Sequence, residues 1–181
     1  MTGCSPSGPK FMASDITGSS FARDFALTDH NGKPRTLADF RGKAVAIFFG
    51  YTQCPDYCPT TLSALSEAMK RLGPEADRVQ VLFITLDPER DTAEMLREYV
   101  TSFDPRFLAL RGDPEATART AKEFKVIYQK VAGPRPDAYS LDHSAATFLY
   151  DPKGRLRLYV GATQGVDVYV HDLQALLQER G

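Results

Sequence analysis

The feature that most constrains the fold is a run of six apolar residues, 44–49, rich in branched and aromatic side chains. A strand that is apolar on both faces has to be covered from both sides, as the strands of parallel sheets in α/β proteins are. A helical pattern follows it: Pro59 suits the first turn of a helix, and apolar residues recur at helical spacing until Gly73 and Pro74. This part of the chain therefore predicts a buried central strand followed by an amphipathic helix.

The rest of the chain alternates between strand and helix patterns. We predict strands at residues 79–85, 107–110, 126–131, 146–150 and 156–160, with a loop at 133–142. Further helices begin near Asp91, which is placed to cap the helix, near Asp113, and near Val166. Asn31-Gly32 predicts an N-terminal hairpin turn. The pattern indicates an α/β protein: a central mixed β-sheet flanked by helices, with an N-terminal β-hairpin.

The first 20 residues differ in composition from the rest of the chain. Residues 1–20 are rich in small polar residues and predict a flexible tether, whereas residues 21–181 have the length of one domain. Thr2-Gly3-Cys4 resembles the end of a bacterial lipoprotein processing site, so Cys4 is either lipidated or an incidental cysteine. With lipid on Cys4, we expect an extracytoplasmic protein, held on the periplasmic face of a bacterial membrane through that anchor alone.

Net charge argues against one class of partner. The formal net charge is −1 and the pI is about 6.3, without the basic stripe that nucleic-acid binding requires. We therefore expect no nucleic-acid partner.

Two cysteines carry the chemistry of the sequence. Cys54 and Cys58 lie between the predicted buried strand and a helix start, where α/β sheets place their functional loops. A helix N-terminus there favours thiolate over thiol. A structural disulfide would close a loop of only a few residues and contribute little. A redox dithiol and a soft metal site both remain open, although the three intervening residues are one more than the usual redox spacing.

A metal site would need a third donor, and the chain has three histidines. His30 falls in a predicted turn and His171 on the polar side of the last helix, so both are expected to be solvated. His143 follows the Pro/Gly-rich loop and precedes a predicted strand, where it is either a ligand or an ordinary loop histidine. Its neighbour Asp142 either supports that ligand or is a solvated acid. An imidazole with two thiolates suits copper, whereas structural zinc would require a fourth protein ligand.

From residue 25 onward the sequence resembles the Sco/SenC family of copper chaperones. The match includes Gly50-Tyr51-Thr52 leading into Cys54-Pro55-Asp56-Tyr57-Cys58-Pro59, the acidic segment at 85–92, and Tyr139-Ser140-Leu141-Asp142-His143-Ser144. The resemblance implies a thioredoxin-like fold, with copper, as Cu(I) and Cu(II), bound by Cys54, Cys58 and His143. It also implies a role in assembling the dinuclear copper centre of cytochrome c oxidase. The expected partners are the copper-bearing subunit of that oxidase and, in addition, periplasmic copper chaperones or thiol reductants.

Other functions are compatible with the same residues. Cys54 and Cys58 could act as the redox pair of a thiol–disulfide oxidoreductase that keeps the oxidase's copper-site cysteines reduced. An alanine stands where thioredoxin-like oxidoreductases have a cis-proline at the start of the strand after His143, which favours metal handling. A peroxiredoxin-like peroxidase and a copper-responsive redox sensor also remain open.

Overall fold

A computed structural model describes residues 10–179. Its strands are β1 (Ser14–Asp15), β2 (Leu27–Asp29), β3 (Pro34–Arg35), β4 (Ala44–Gly50), β5 (Val79–Thr85), β6 (Leu108–Arg111), β7 (Tyr128–Val131), β8 (Ser140–His143), β9 (Ala146–Tyr150) and β10 (Leu156–Gly161). Its α-helices are α1 (Tyr57–Leu72), α2 (Ala93–Thr101), α3 (Pro114–Glu123) and α4 (Val166–Gln178). Two short 3-10 helices span Leu37–Phe40 and Gly73–Arg78.

The sheet is mixed and has eight strands in the order β1-β10-β9-β4-β5-β6-β2-β3. The central strands β4, β5 and β6 are parallel, and β9, β10, β1, β2 and β3 extend the sheet by antiparallel pairing. Every residue of β4 and β5 is buried, as a strand covered on both faces requires. The expected α/β class, central mixed sheet and N-terminal hairpin (β2–β3) are confirmed.

Successive side chains of β4 point to opposite faces of the sheet, so the strand contributes to the core on both faces. Phe48 contacts Phe83, whose ring in turn contacts Tyr99 of α2, and α1 and α4 pack on the same face. Phe49, on the other face, packs against Phe124 at the end of α3 and against Phe148. Helices therefore cover both faces of the central strands.

The helix α3 begins next to Asp113, as predicted, and Asp113 caps it by accepting the Ala116 N–H at 2.7 Å. The predicted helix after Asp91 is present as α2, but its predicted cap was wrong, because Thr92 is the cap and accepts the Met95 N–H at 3.2 Å. Asp91 is instead fully buried and binds side chains of two other segments. A capping side chain and a buried acceptor have the same sequence signature, so only the fold separates them.

The N-terminal segment joins the sheet earlier than residue 21. Ser14 and Asp15 pair with β10, and the buried carboxylate of Asp172 on α4 accepts the backbone N–H groups of Met12 and Ala13. Residues 12–16 of the expected tether thus belong to the folded body, whereas residues 1–9, including Cys4, lie outside the described part of the chain. Among residues 10–179, no helix is both long and apolar enough to cross a membrane.

A separate two-stranded ribbon, β7–β8, follows α3. Tyr128 pairs with His143 and Val131 with Ser140 in an antiparallel arrangement. The predicted loop at 133–142 is therefore only partly right, because its last residues, with His143, form β8. We missed this strand because its sequence, Ser-Leu-Asp-His, has a single apolar residue.

Candidate metal centre

The cysteine loop leaves the carboxyl end of β4 and leads directly into α1. Gly50 ends β4, and a Cβ atom at this position would lie 2.3 Å from the Cys58 Sγ and 2.9 Å from Phe83 Cε2. Glycine is therefore needed for Cys58 to sit against the end of the strand. Cys58 itself lies in the first turn of α1, with Pro59 after it.

Three donor atoms meet at this end of the sheet. The sulfurs of Cys54 and Cys58 and a ring nitrogen of His143 all lie within 4.8 Å of one another. Both cysteines are buried and free of a disulfide, and His143 is half-buried. Within residues 10–179, these side chains form the one cluster of three or more His, Cys, Asp or Glu donors.

The other two histidines lie elsewhere. His171 is half-exposed and contacts Asp172 at 2.7 Å, in keeping with its predicted solvated position. His30 is buried, contrary to our expectation, and its Nδ1 accepts the Ala109 N–H at 3.2 Å. The hairpin turn packs its histidine against β6, which the local sequence did not indicate. Asp142 is exposed on β8.

The two thiols differ in proton affinity. A hydrogen bond from the Cys58 side chain, helped by the backbone N–H groups of Asp56 and Cys58, lowers the pKa of Cys54 to about 5 against the opposing effect of burial. The same hydrogen bond, together with burial, raises the pKa of Cys58. Near neutral pH, these shifts place a single proton on Cys58 of the metal-free dithiol, hydrogen-bonded to a thiolate at Cys54. Binding a metal through both sulfurs would release that proton.

His143 is oriented by its own strand. Its Nδ1 lies 3.2 Å from the Leu141 carbonyl oxygen, so a proton on Nδ1 satisfies that carbonyl and leaves the Nε2 lone pair for a metal. The Tyr51 ring packs edge-on against the imidazole, with ring centroids 5.8 Å apart. The Tyr51 hydroxyl accepts the Leu141 N–H at 3.1 Å. Tyr51 thus links the cysteine loop to the strand that carries the histidine.

A buried carboxylate, that of Asp91, supports the cysteine loop. Asp91 accepts hydrogen bonds from the Thr52 hydroxyl at 2.5 Å, the Thr52 N–H at 3.1 Å and the Thr85 hydroxyl at 2.6 Å. Burial raises the pKa of Asp91, and these bonds oppose that rise. The sequence indicated neither this support nor the contact of Tyr51 with His143, although both segments belong to the motifs that carry the family resemblance.

The donor set and its exposure limit the chemistry. Two sulfurs and an imidazole are soft-to-intermediate donors that suit copper or zinc and disfavour magnesium or calcium. A narrow pocket beside the donors opens between Tyr57, Thr61, Ala145 and Gly161. The site can therefore hold a soft ion in three-donor coordination while one side stays accessible, and its free dithiol can also react as a redox pair.

The fold and the Cys-Cys-His donor cluster together define a class of protein, namely a thioredoxin-like protein with a candidate site for a soft metal ion. The sequence pattern of one family, SCO1/SenC, matches residues 13–178. The chain belongs to the SCO1/SenC family.

Relatives and solved structures agree with this membership. The chain is 41% identical over 155 residues to the mitochondrial SCO2 homolog of Mus musculus, covering 83% of this chain and 60% of the mouse protein. It thus spans about three fifths of the length of that relative. The structure of apo Sco1 from Thermus thermophilus has a TM-score of 0.83 and 43% identity, covering 93% of this chain and 98% of the other. Copper-bound ScoI from Bradyrhizobium japonicum has a TM-score of 0.78 and 40% identity, covering 85% and 98%.

Proposed function

We propose that this protein is a copper metallochaperone that binds Cu(I) and Cu(II) through Cys54, Cys58 and His143. The observation that carries the proposal is the approach of the two sulfurs and the imidazole nitrogen to within 4.8 Å of one another. Thiolate and imidazole donors suit copper. The copper-bound structure of the Bradyrhizobium japonicum relative supports the choice of metal.

Copper is the cargo of this site, and transfer proceeds by ligand exchange. The incoming cysteines and histidines of an acceptor approach from the accessible side and replace the three donors one at a time. The family resemblance supports the copper-bearing subunit of cytochrome c oxidase as that acceptor, with periplasmic copper chaperones or thiol reductants as further partners. A lipid on Cys4 would hold the protein outside the cytoplasm, next to a membrane-bound acceptor.

The redox state of the dithiol controls loading. A disulfide between Cys54 and Cys58 supplies no thiolates, so the oxidised protein cannot bind the ion through sulfur. Both thiolates form only when the proton on Cys58 is released, which metal binding favours. Copper loading therefore requires a reduced pair.

A second candidate function is thiol–disulfide exchange, and the lowered pKa of Cys54 favours it. The Cys54 thiolate would attack a partner's disulfide, forming a mixed disulfide and releasing one partner thiolate. Cys58, after losing its proton, would then attack the Cys54 sulfur. The chain ends with a Cys54–Cys58 disulfide and the partner with two reduced cysteines, the electrons coming from the Cys54–Cys58 pair.

An anaerobic copper titration tests the first function. The fully reduced protein receives Cu(II) in steps while its visible absorption is recorded, beside His143→Ala and the control His171→Ala. We expect thiolate-to-copper charge-transfer bands that saturate at about one copper per chain, change in His143→Ala and persist in His171→Ala. Cys54→Ser and Cys58→Ser should lose tight binding. Oxidation of the dithiol without such bands would contradict the metal site and favour the exchange reaction.

The same variants separate the two functions. Disulfide exchange uses the two sulfurs and does not require the imidazole, so His143→Ala should retain the reduction of a model disulfide peptide. Copper binding in the same variant should weaken and its spectrum should change. A His143→Ala protein with the affinity and spectrum of the unchanged chain would remove His143 from the ligand set.

A further inference from the structure

One arginine, Arg90, lies between the two halves of the metal centre without being a donor. It follows β5 in the segment 87–91, and its side chain is only 12% exposed. Its Nε donates to Asp87 Oδ2 at 2.5 Å, which fixes the plane of the guanidinium. This ion pair is within one segment and by itself does not connect distant parts of the chain.

The other guanidinium contacts reach two further segments. Nη1 donates to the carbonyl oxygen of Tyr139 at 2.8 Å and lies 3.2 Å from that of Asp137, both in the segment that leads into β8. The same nitrogen lies 3.2 Å from Oε1 of Gln53, the residue before Cys54. One side chain thus contacts both the cysteine loop and the segment that carries His143.

The tyrosine of that segment strengthens the link. The guanidinium carbon lies 3.6 Å from the centre of the Tyr139 ring, a close cation–π contact. The Tyr139 hydroxyl donates to Asp87 Oδ1 at 2.6 Å, so the two oxygens of Asp87 bind Arg90 and Tyr139 separately. Arg90, Asp87 and Tyr139 therefore form a closed arrangement in which each contacts the other two.

The histidine strand depends on such side-chain contacts. Its ribbon, β7–β8, is a two-stranded sheet of its own, separate in hydrogen bonding from the eight-stranded sheet. Tyr139 comes directly before β8, and Leu141, two residues on, offers the carbonyl that orients the His143 ring. Because only three residues separate Tyr139 from His143, we expect a shift at Tyr139 to move His143 as well.

We infer that Arg90 is a positioning residue for the metal centre: by joining Gln53, Asp137 and Tyr139, it sets where His143 stands relative to Cys54 and Cys58. This inference rests on the proposed copper function for its metal readout. Its structural part, that Arg90 holds the histidine strand, stands without a metal. Groups that orient a ligand without binding the ion typically change metal affinity by about 10- to 100-fold.

The test compares Arg90→Gln with a matched control, Arg106→Gln. Like Arg90, which pairs with Asp87 three residues before it, Arg106 pairs with a nearby acid, Asp104, two residues before it. Arg106, however, precedes β6, at the sheet edge opposite the carboxyl ends of β4 and β5. We expect Arg90→Gln to bind Cu(II) about 10- to 100-fold more weakly, with its charge-transfer spectrum shifted towards that of His143→Ala. Arg106→Gln should keep the affinity and spectrum of the unchanged protein.

A double variant decides whether Arg90 acts through His143. In the His143→Ala background, Arg90→Gln should cause no further loss of affinity, because the donor that it positions is already absent. Two losses that multiply would overturn the inference, as would an Arg90→Gln protein that binds copper like the unchanged chain. Should Arg90→Gln fail to fold, Arg90→Lys replaces it, since a single ammonium nitrogen cannot bind Asp87 as Nε does and also take the place of Nη1 at the other partners. Unchanged binding by Arg90→Lys would equally overturn the inference.

Hydrogen exchange of the metal-free protein separates this inference from the proposed function. The Leu141 N–H, which donates to Tyr51, should exchange faster in Arg90→Gln and at its original rate in Arg106→Gln. Absent charge-transfer bands in the unchanged protein would count against the copper function alone. Unchanged Leu141 exchange in Arg90→Gln would count against the positioning role, whatever the metal result.

Discussion

The cysteine half and the histidine half of the centre are built in different ways. Cys54 lies in the loop after β4, whose residues are all buried, and Cys58 lies in the first turn of α1, so the core of the domain holds them. His143 ends a ribbon in which Gln129, Lys130 and Val131 are exposed. The ribbon reaches the cysteine loop through side chains, chiefly the Tyr51 hydroxyl and the Arg90 guanidinium.

The difference indicates a division of work within the site. We expect the dithiol to keep one geometry, because displacing Cys58 would disturb the densely packed end of the central sheet. The histidine strand contributes one buried apolar side chain, Leu141, and is otherwise held by a small number of hydrogen bonds, each worth about 0.5–1.5 kcal/mol, so it should adjust at a lower cost than the central sheet. Under the proposed function, the cysteine half (Cys54 and Cys58) is the fixed half and retains the ion. The histidine half (His143 on β8) is the adjustable half and completes or opens the coordination.

The largest expected effect is a difference in reactivity between the two sulfurs of the fixed half. Because the pKa of Cys54 is lowered to about 5, its thiolate form predominates at neutral pH, whereas the raised pKa of Cys58 leaves almost no thiolate there. We expect iodoacetamide to alkylate Cys54 at least about 100-fold faster than Cys58 at pH 7. Peptide mass spectrometry of the reduced, metal-free protein measures both rates.

The pH profile of this alkylation shows in which direction the pKa of Cys54 is shifted. A thiolate with a lowered pKa persists as pH falls, so the Cys54 rate should stay level down to about pH 6 and decline below about pH 5. Cys58→Ala removes the hydrogen bond that is the main cause of the shift, and the decline should then begin nearer the ordinary thiol pKa of about 8.5. Equal rates at both cysteines would contradict the assignment of the shared proton.

Gly50→Ala disturbs the fixed half directly. The new Cβ would lie 2.3 Å from the Cys58 Sγ and 2.9 Å from a Phe83 ring carbon, and the dense core leaves little room for either to move. We expect a loss of about 1–3 kcal/mol in the free energy of unfolding, measured with denaturant, together with weaker copper binding.

Gly161→Ala is the matched control for that substitution. Gly161 also ends a strand, β10, beside the same pocket, but its Cβ would meet only the Gln164 side chain, at 3.9 Å. Its free energy of unfolding should change by no more than about 0.5 kcal/mol. Similar losses in both variants would mean that the cysteine half is no more tightly held than its surroundings.

The same contrast explains what the sequence could reveal. The buried strand, α1 and the two cysteines follow from local patterns, namely an apolar run, helical spacing and a Cys-Cys separation of four residues. The approach of His143 depends on a ribbon whose strand has a single apolar residue, so periodicity predicted a loop and only the family resemblance favoured the ligand. Asp91 and His30 were misplaced for a related reason, because the burial of a polar side chain depends on partners distant in sequence.

Arg90 shows the limit of local patterns most clearly. It lies in an acidic segment whose composition is that of a solvated loop, yet its partners are 37, 47 and 49 residues away along the chain. The resemblance placed this segment among the family's motifs without giving it a role. The fold supplies that role by bringing the segment between the cysteine loop and the histidine strand.

The smallest expected effect tests the adjustable half at a single hydroxyl. Tyr51→Phe keeps the ring against His143 but removes the acceptor of the Leu141 N–H, a contact of 3.1 Å. We expect a loss of about 0.5–1.5 kcal/mol in the free energy of unfolding. Faster amide exchange at Leu141 should accompany it, measured by NMR. The control is Tyr169→Phe, which removes a buried hydroxyl 2.7 Å from Thr147 Oγ1 and should leave Leu141 exchange unchanged. If the two variants altered Leu141 alike, the histidine strand would be coupled to the whole core, and the division between a fixed and an adjustable half would fail.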